Sequence, residues 1–348
     1  MLRSRAKINS ILSFILMLTC SVVHAMPKQI LDCLKQHNET AQEETPLYAQ
    51  GFSIYKGQRF SFIEIKERYG LKGQAEIIFI SSMNLSCSNV KVIHPPFKKV
   101  LSLSTTFIPL FDLGKNKNFL FGISGKSFIN SAWAMENLKK GQIKDIGYPP
   151  NLETVANLAP DLILLYPLAE QEFSLAEKFK ALKLNYVSFA EYLEPHPLGR
   201  AEWVKVFCQI LECGVDIQAE FAKIANDYER TKASAQKSRS KPKVIMGSFW
   251  GGDWHSPGGD SFLAKLVGDA GGEYTFSTPK TAQTKVMDFE FVYSIFSSID
   301  IWLPHASMRD LTTLQQEDAR YKMLKKFNIK IFNYDKIRSE NGGIDFWE

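Results

Sequence analysis

The chain has 348 residues, 45% hydrophobic and 12% aromatic, more than one small core requires, so one large or two medium domains are expected. Charged residues at 23%, with 21 glycines and 15 prolines, exclude a disordered or collagen-like chain. The formal charge is +5, but Arg3, Arg5 and Lys7 lie in a leader without acids; the rest carries 39 basic against 37 acidic residues, which argues against a nucleic-acid partner.

Residues 1–25 combine that basic start with an apolar run from Ile11 to Val23 and small residues, Val23 and Ala25, at the cleavage-defining positions. The pattern predicts a signal peptide cleaved near Ala25 and an exported, periplasmic mature chain. The run is shorter than the about 20 apolar residues of a bilayer span. Cys20 offers lipid anchoring as an alternative, although Thr19 before it is poor for that processing. Cys33, Cys87, Cys208 and Cys213 remain after cleavage, an even number in an oxidising space. Proximity favours Cys33–Cys87 and Cys208–Cys213, the second only if a helix ends near Gly214, because side chains five residues apart on one helix diverge. Free buried thiols are the alternative.

Residues 26–98 read as an N-terminal extension, strand-like from Phe52 to Ile93, with hairpin turns at Lys56-Gly57 and Lys72-Gly73. After Pro95-Pro96 the pattern changes. Val100–Ser104, Leu162–Tyr166 and Tyr186–Phe189 are short apolar strands, each followed by helix-period sequence, which predicts a first β/α lobe over 99–190. Residues 191–236 carry apolar residues at helical spacing, Trp203, Phe207, Ile210 and Leu211, then Ile217, Phe221, Ile224 and Tyr228. They predict a long linking helix that starts at Pro197 and breaks or kinks at Gly214. Val244–Phe249, Ile299–Leu303 and Ile329–Tyr334 resume the alternation in a second β/α lobe over 237–348. The expected fold is α/β: two Rossmann-like lobes on one backbone helix, with a β-hairpin extension and a cleft between the carboxyl edges of two open sheets.

Several stretches carry a family pattern: VLSLSTT (100–106), GYPPNLETVANLAPDLIL (147–164), EYLEPHPLGRAEW (191–203), KVIMGSFWGGDWHSPGGDSFLAKLVGDAGG (243–272), DFEFVY (288–293) and NYDKIRSENGGIDFWE (333–348). In this order the chain resembles a class III periplasmic substrate-binding protein, of the cluster that serves iron-chelate, haem and cobalamin ABC importers. The resemblance implies a bulky metal-chelate or macrocyclic ligand and an inner-membrane permease as partners. It also implies no catalysis, no resident cofactor and no protein-bound metal. Two departures stand out. Residues 26–98 lie outside the shared pattern, and the family pattern continues beyond the position of Glu348 through a final helix on the second lobe.

Trp250, Trp254 and His255 follow a strand of the second lobe and could form a stacking wall for a flat ligand, with His255 able to reach a metal. The alternative places one tryptophan in the core. Phe107, Trp133 and Tyr148 are first-lobe candidates, although a tryptophan on an amphipathic helix such as Trp133 is more often packing, and Thr105 reads as a helix cap. Arg200 and Arg338 suit anionic ligand groups, but Arg200 is more simply an ion-pair partner of Glu194 or Glu202. Pro257-Gly258-Gly259-Asp260-Ser261 lacks the Lys-Ser/Thr of a nucleotide loop and reads as a turn before a capped helix. Glu153 and Glu290 each stand two residues after a capping residue, where an acid favours the helix dipole; they also match the family positions that dock one glutamate per lobe into the permease. No nucleophile elbow, zinc-type histidine pair or dinucleotide glycine fingerprint supports an enzyme. A ligand-free envelope scaffold or signalling domain on the same fold is the other class considered, and a metal-dependent hydrolase ranks last.

Overall fold

The computed structural model describes residues 26–83, 85–168, 170–281, 283–304 and 318–333, together with Ser339 and Gly343. Helix α1 (Lys28–His37) precedes a sheet of β1 (Gln42–Glu44), β2 (Phe52–Lys56), β3 (Ser61–Ile65), β4 (Glu76–Ile80) and β5 (Lys91–Ile93), paired in chain order. Strict alternation decides its two faces. Tyr55, Phe62, Ile77 and Phe79 point to α1, where Cys33 is disulfide-bonded to Cys87. Phe52, Ile54, Ile63, Ile65, Ile78 and Ile80 point the other way, into a buried cluster that also holds Val100, Leu162, Trp203 and Phe207. The expected appendage is therefore part of the main core, because a sheet apolar on both faces needs a cover on each.

The next sheet is wholly parallel: β6 (Val100–Ser102), β7 (Leu120–Ile123), β8 (Lys144–Asp145), β9 (Leu162–Leu165) and β10 (Tyr186–Ser188), in the order β10-β9-β6-β7-β8. Helices α2 (Ile108–Leu113), α3 (Ala132–Lys139), α4 (Leu152–Asn157) and α5 (Glu170–Ala181) connect the strands. Successive crossovers leave β6 in opposite directions, so the loops after β6 and β9 part at their carboxyl ends.

The single linking helix resolves into three: α6 (Pro197–Glu202), α7 (Val204–Leu211) and α8 (Ile217–Gln236). Glu212, with φ of 49°, ends α7 in the left-handed region, and Asp216 restarts the chain by accepting from the amides of Gln218 and Ala219. That break lets Cys213 turn back to Cys208, with the two Cα atoms 4.8 Å apart in a disulfide.

A second parallel sheet, in the order β14-β11-β16-β17, contains β11 (Lys243–Met246), β14 (Glu273–Tyr274), β16 (Ile301–Leu303) and β17 (Lys330–Ile331). A smaller antiparallel sheet joins β12 (Ser248–Trp250), β13 (Asp253–Ser256) and β15 (Lys285–Met287). Helices α9 (Phe262–Asp269), α10 (Phe289–Ile295) and α11 (Tyr321–Leu324) belong to this part. Helix α9 meets α6 and α8: the Arg200 guanidinium lies over the Phe262 ring at 5.1 Å, and Tyr228 donates to Asp269 at 2.7 Å. No helix among the described residues is long and apolar enough to cross a membrane.

Candidate functional site

A cavity of about 400 Å³ opens where the β6 and β9 loops part, a volume suited to a small-molecule ligand. Ser104 and Thr106 come from the β6 loop, Tyr148 from the turn before α4, Tyr166 from the end of β9, and Tyr192 and Arg200 from the segment that enters α6. Ser104, rather than the expected Thr105, caps the turn: its hydroxyl oxygen accepts from the Thr106 amide at 3.3 Å and bonds the Thr106 hydroxyl at 2.8 Å. Gly125 on the wall has φ of 77°, which disfavours any side chain, and a Cβ there would stand 2.9 Å from the Phe128 ring and displace it. Tyr148, 70% exposed, meets Phe128 edge-on at 5.2 Å and forms the rim. Deeper in, the Tyr166 and Tyr192 rings lie 5.1 Å apart, and Tyr192 donates to the carbonyl of Pro167.

Charge at the cavity floor is arranged in one cluster. Glu191 is buried beneath the wall, one of its carboxylate oxygens has no hydrogen-bond partner, and the Tyr166 phenol is close enough to act on it. Burial pushes its carboxyl up to about 7, against the opposing pull of the Arg200 charge. Burial also raises the Tyr166 phenol, with the Glu191 charge adding to the effect.

Arg200 forms no ion pair with either expected glutamate, which corrects the simpler reading of this residue. Glu194 is filled by the amides of Gln50 and Gly51 and by the Trp203 indole at 2.9 Å. Glu202 accepts from the amides of Leu47, Tyr48 and Ala49 and from Lys205 at 2.8 Å. With both acids committed to backbone from the extension, the half-buried guanidinium faces the cavity, stacked on Phe262 and within charge range of Glu191.

The expected tryptophan wall does not form. Trp250 pairs with Asp253 and Phe249 with Trp254 across the β12–β13 hairpin, so the two tryptophans point to opposite faces. Trp254 is wholly buried, donates to the Met246 carbonyl at 3.1 Å and packs on Phe249 and Trp302; it is a core residue. Trp250 is 78% exposed at the turn, and His255 bonds the Trp250 carbonyl at 3.0 Å, so both are accessible but neither lines the cavity. Phe107 is buried against Tyr166 and Phe189 and supports the cavity from behind. Trp133 packs on the core under the Lys117 ammonium, away from the lining. Arg338 lies outside the described residues.

Glu153 and Glu290 are exposed in the first turns of α4 and α10, after Asn151 and Asp288 side chains that accept from the Thr154 and Phe291 amides. Gly258 and Gly259 lie tight against the carbonyls of Thr281 and Ser277, and Ser261 caps α9, as expected of a structural turn. The residues of the site that sequence reasoning missed are Tyr166 and Tyr192 in the cavity lining and Glu191 beneath it. The strand end LILLY already placed Tyr166 at the same carboxyl edge as the β6 loop.

Residues 102–327 match the family model described as periplasmic binding protein. The chain belongs to that family. An uncharacterized lipoprotein of Methanocaldococcus jannaschii is 27% identical over 250 residues, 68% of this chain and 59% of the relative, so the chain spans less than two thirds of that protein's length. A second uncharacterized lipoprotein of the same organism is 22% identical over 80% of this chain and 74% of its own. Among solved structures, a possible iron-binding (periplasmic solute-binding) protein of Staphylococcus epidermidis superposes with a TM-score of 0.53 at 18% identity, over 68% of this chain and 90% of that one. The periplasmic haem-binding protein HutB of Vibrio cholerae gives 0.53 at 13% identity, over 72% and 94%. CeuE of Helicobacter pylori with Ni(II) bound gives 0.54 at 16% identity, over 72% and 80%. At these identities the structures establish a shared fold: mixed α/β with parallel sheets, as expected. The family is one of solute-binding proteins, not enzymes.

Proposed function

We propose that this protein is an extracytoplasmic receptor of an ABC importer that captures an iron complex, siderophore or haem, and delivers it to a membrane permease. Cobalamin is the alternative ligand of the same class. The observation that carries the reading is the cavity at the β6–β9 switch point, which combines tyrosine rings, small hydroxyls and an Arg200 guanidinium without an ion-pair partner among the described residues. Aromatic faces suit a bulky conjugated or chelated ligand, and the guanidinium suits its carboxylate or other oxyanion. Haem-, iron- and nickel-binding proteins of the same fold support a metal chelate as cargo. The leader over residues 1–25 and the lipoprotein relatives support export. Glu153 and Glu290, exposed at matching helix starts, are the proposed permease contacts, and the exposed Trp250 with His255 is available as a second ligand face.

A thermal melt against haemin, cyanocobalamin and a panel of ferric siderophores tests the reading. Saturation at 100 times Kd stabilises the folded state by about 2.7 kcal/mol, enough for a clear rise in Tm. An unchanged melt across the whole panel in well-folded protein would refute the receptor function.

A further inference from the structure

Glu191 is a costly residue to keep beneath a ligand cavity. Its carboxyl is buried, one oxygen lacks a partner, and a glutamine could fill the same space without the charge. Tyr166 and Arg200, the phenol and the cation that act on it, are themselves cavity-wall residues, so a ligand in the cavity meets the two side chains that set the state of this carboxyl. Among the described residues, the cluster also holds Tyr192, the next residue along the chain, and Glu172 of α5, which acts on Tyr192 and lines the same cavity. Among the described residues, Arg200 is the cation acting on this group, so two anions compete for it: the Glu191 carboxylate and any oxyanion entering the cavity.

We propose that Glu191 couples ligand capture to proton uptake: an anionic group of the bound metal chelate engages Arg200, and Glu191, deprived of that compensating charge, takes one proton from solvent. The inference rests on the receptor reading above and deepens it by assigning the ligand a free anionic oxygen. The proton balance is simple, one carboxylate and one proton giving one carboxylic acid. The acid then donates within the cluster instead of standing as an unpaired buried charge. Burial already holds the free carboxyl near neutrality, so modest changes at Arg200 move its protonation across physiological pH. Capture is favoured on the acidic side and release on the alkaline side.

The test compares the wild type with Glu191→Gln, using haemin, which carries two carboxylates, as probe between pH 6 and 8. Titrations of the probe itself affect both proteins and cancel in the comparison. The wild-type Kd should rise about tenfold relative to the variant over this range, the loss expected when a group with a pKa near 7 must be protonated in the complex. Parallel profiles with intact binding would overturn the coupling. A ligand-free measurement separates this failure from that of the receptor reading. Infrared difference spectra of the apo protein should show a protonated carboxyl that titrates near neutrality and is lost in Glu191→Gln; its absence at pH 6 also overturns the proposal. If that band titrates as expected but neither haemin nor ferric citrate binds either protein, the receptor reading fails for anionic chelates and the coupling fails with it.

Discussion

Replacing Glu202 by alanine tests how firmly residues 47–49 are tied to the helical segment more than 150 positions away. The wild-type carboxylate is fully buried, accepts from three successive backbone amides at 2.8–3.0 Å and pairs with the buried Lys205. Truncation strands the Lys205 ammonium in the core, a loss of about 3–5 kcal/mol for a broken buried pair. The orphaned Ala49 amide adds about 1–3 kcal/mol, whereas the amides of the exposed Leu47 and the half-buried Tyr48 can turn to water. About 5 kcal/mol is a large share of the 5–15 kcal/mol that holds a typical protein folded. Urea titration monitored by fluorescence should show a much lower midpoint with an unchanged slope, since the extension shares its core with the first β/α sheet. Lys205→Met should cost less than half as much, because the carboxylate keeps its three amide donors. If Glu202→Ala lies within about 1 kcal/mol of the wild type, the clamp has been misread. Equal costs for the two variants would mean that the ion pair, not the backbone grip, carries the stability.

The two tryptophans of the hairpin should separate cleanly: Trp254→Ala should lose about 3–5 kcal/mol in the same urea assay, whereas Trp250→Ala should stay within about 0.5 kcal/mol. For Glu191 the native carboxyl titrates near 7 against an ordinary value of 4.5, so the unfolded chain releases its proton first. Stability from this group is complete below pH 4.5 and falls as pH rises to 7, by roughly 3 kcal/mol relative to Glu191→Gln; parallel melting curves for the two proteins across this window would contradict the burial argument. Reversing Glu153 and Glu290 to lysine together should weaken association with the permease in low-salt vesicles and lower Tm only slightly, because both side chains are exposed and each helix start loses about 0.3–1 kcal/mol of dipole stabilisation. Association equal to that of the wild type would remove these residues from the docking surface.

Most of the scaffold was legible because its signals are local. Short apolar runs followed by helix-period sequence marked β6, β9, β10, β11 and β16, and the capping residues Asn151 and Asp288 marked the starts of α4 and α10. The pairing of Cys208 with Cys213 was readable once the helix was allowed to end before Gly214, and Glu212 ends it. The reach of the linking helix was not readable. Its apolar spacing continues across both breaks, and periodicity cannot register a left-handed residue such as Glu212.

The site was harder to read because its character depends on what its neighbours are doing elsewhere. Glu194 and Glu202 stand within reach of Arg200 on the same short segment, and local spacing alone pairs acid with base there. What removes them is the backbone of residues 47–51, which enters from the extension and takes both carboxylates. A carboxylate accepting several amide bonds is already satisfied, so an arginine beside it gains little by turning inward. Arg200 instead lies on Phe262 and faces the cavity, and a cation–π contact worth about 0.5–2 kcal/mol leaves most of its charge available. The extension that falls outside the family pattern thus acts on the site without touching it: by occupying two glutamates, it leaves the guanidinium facing the cavity.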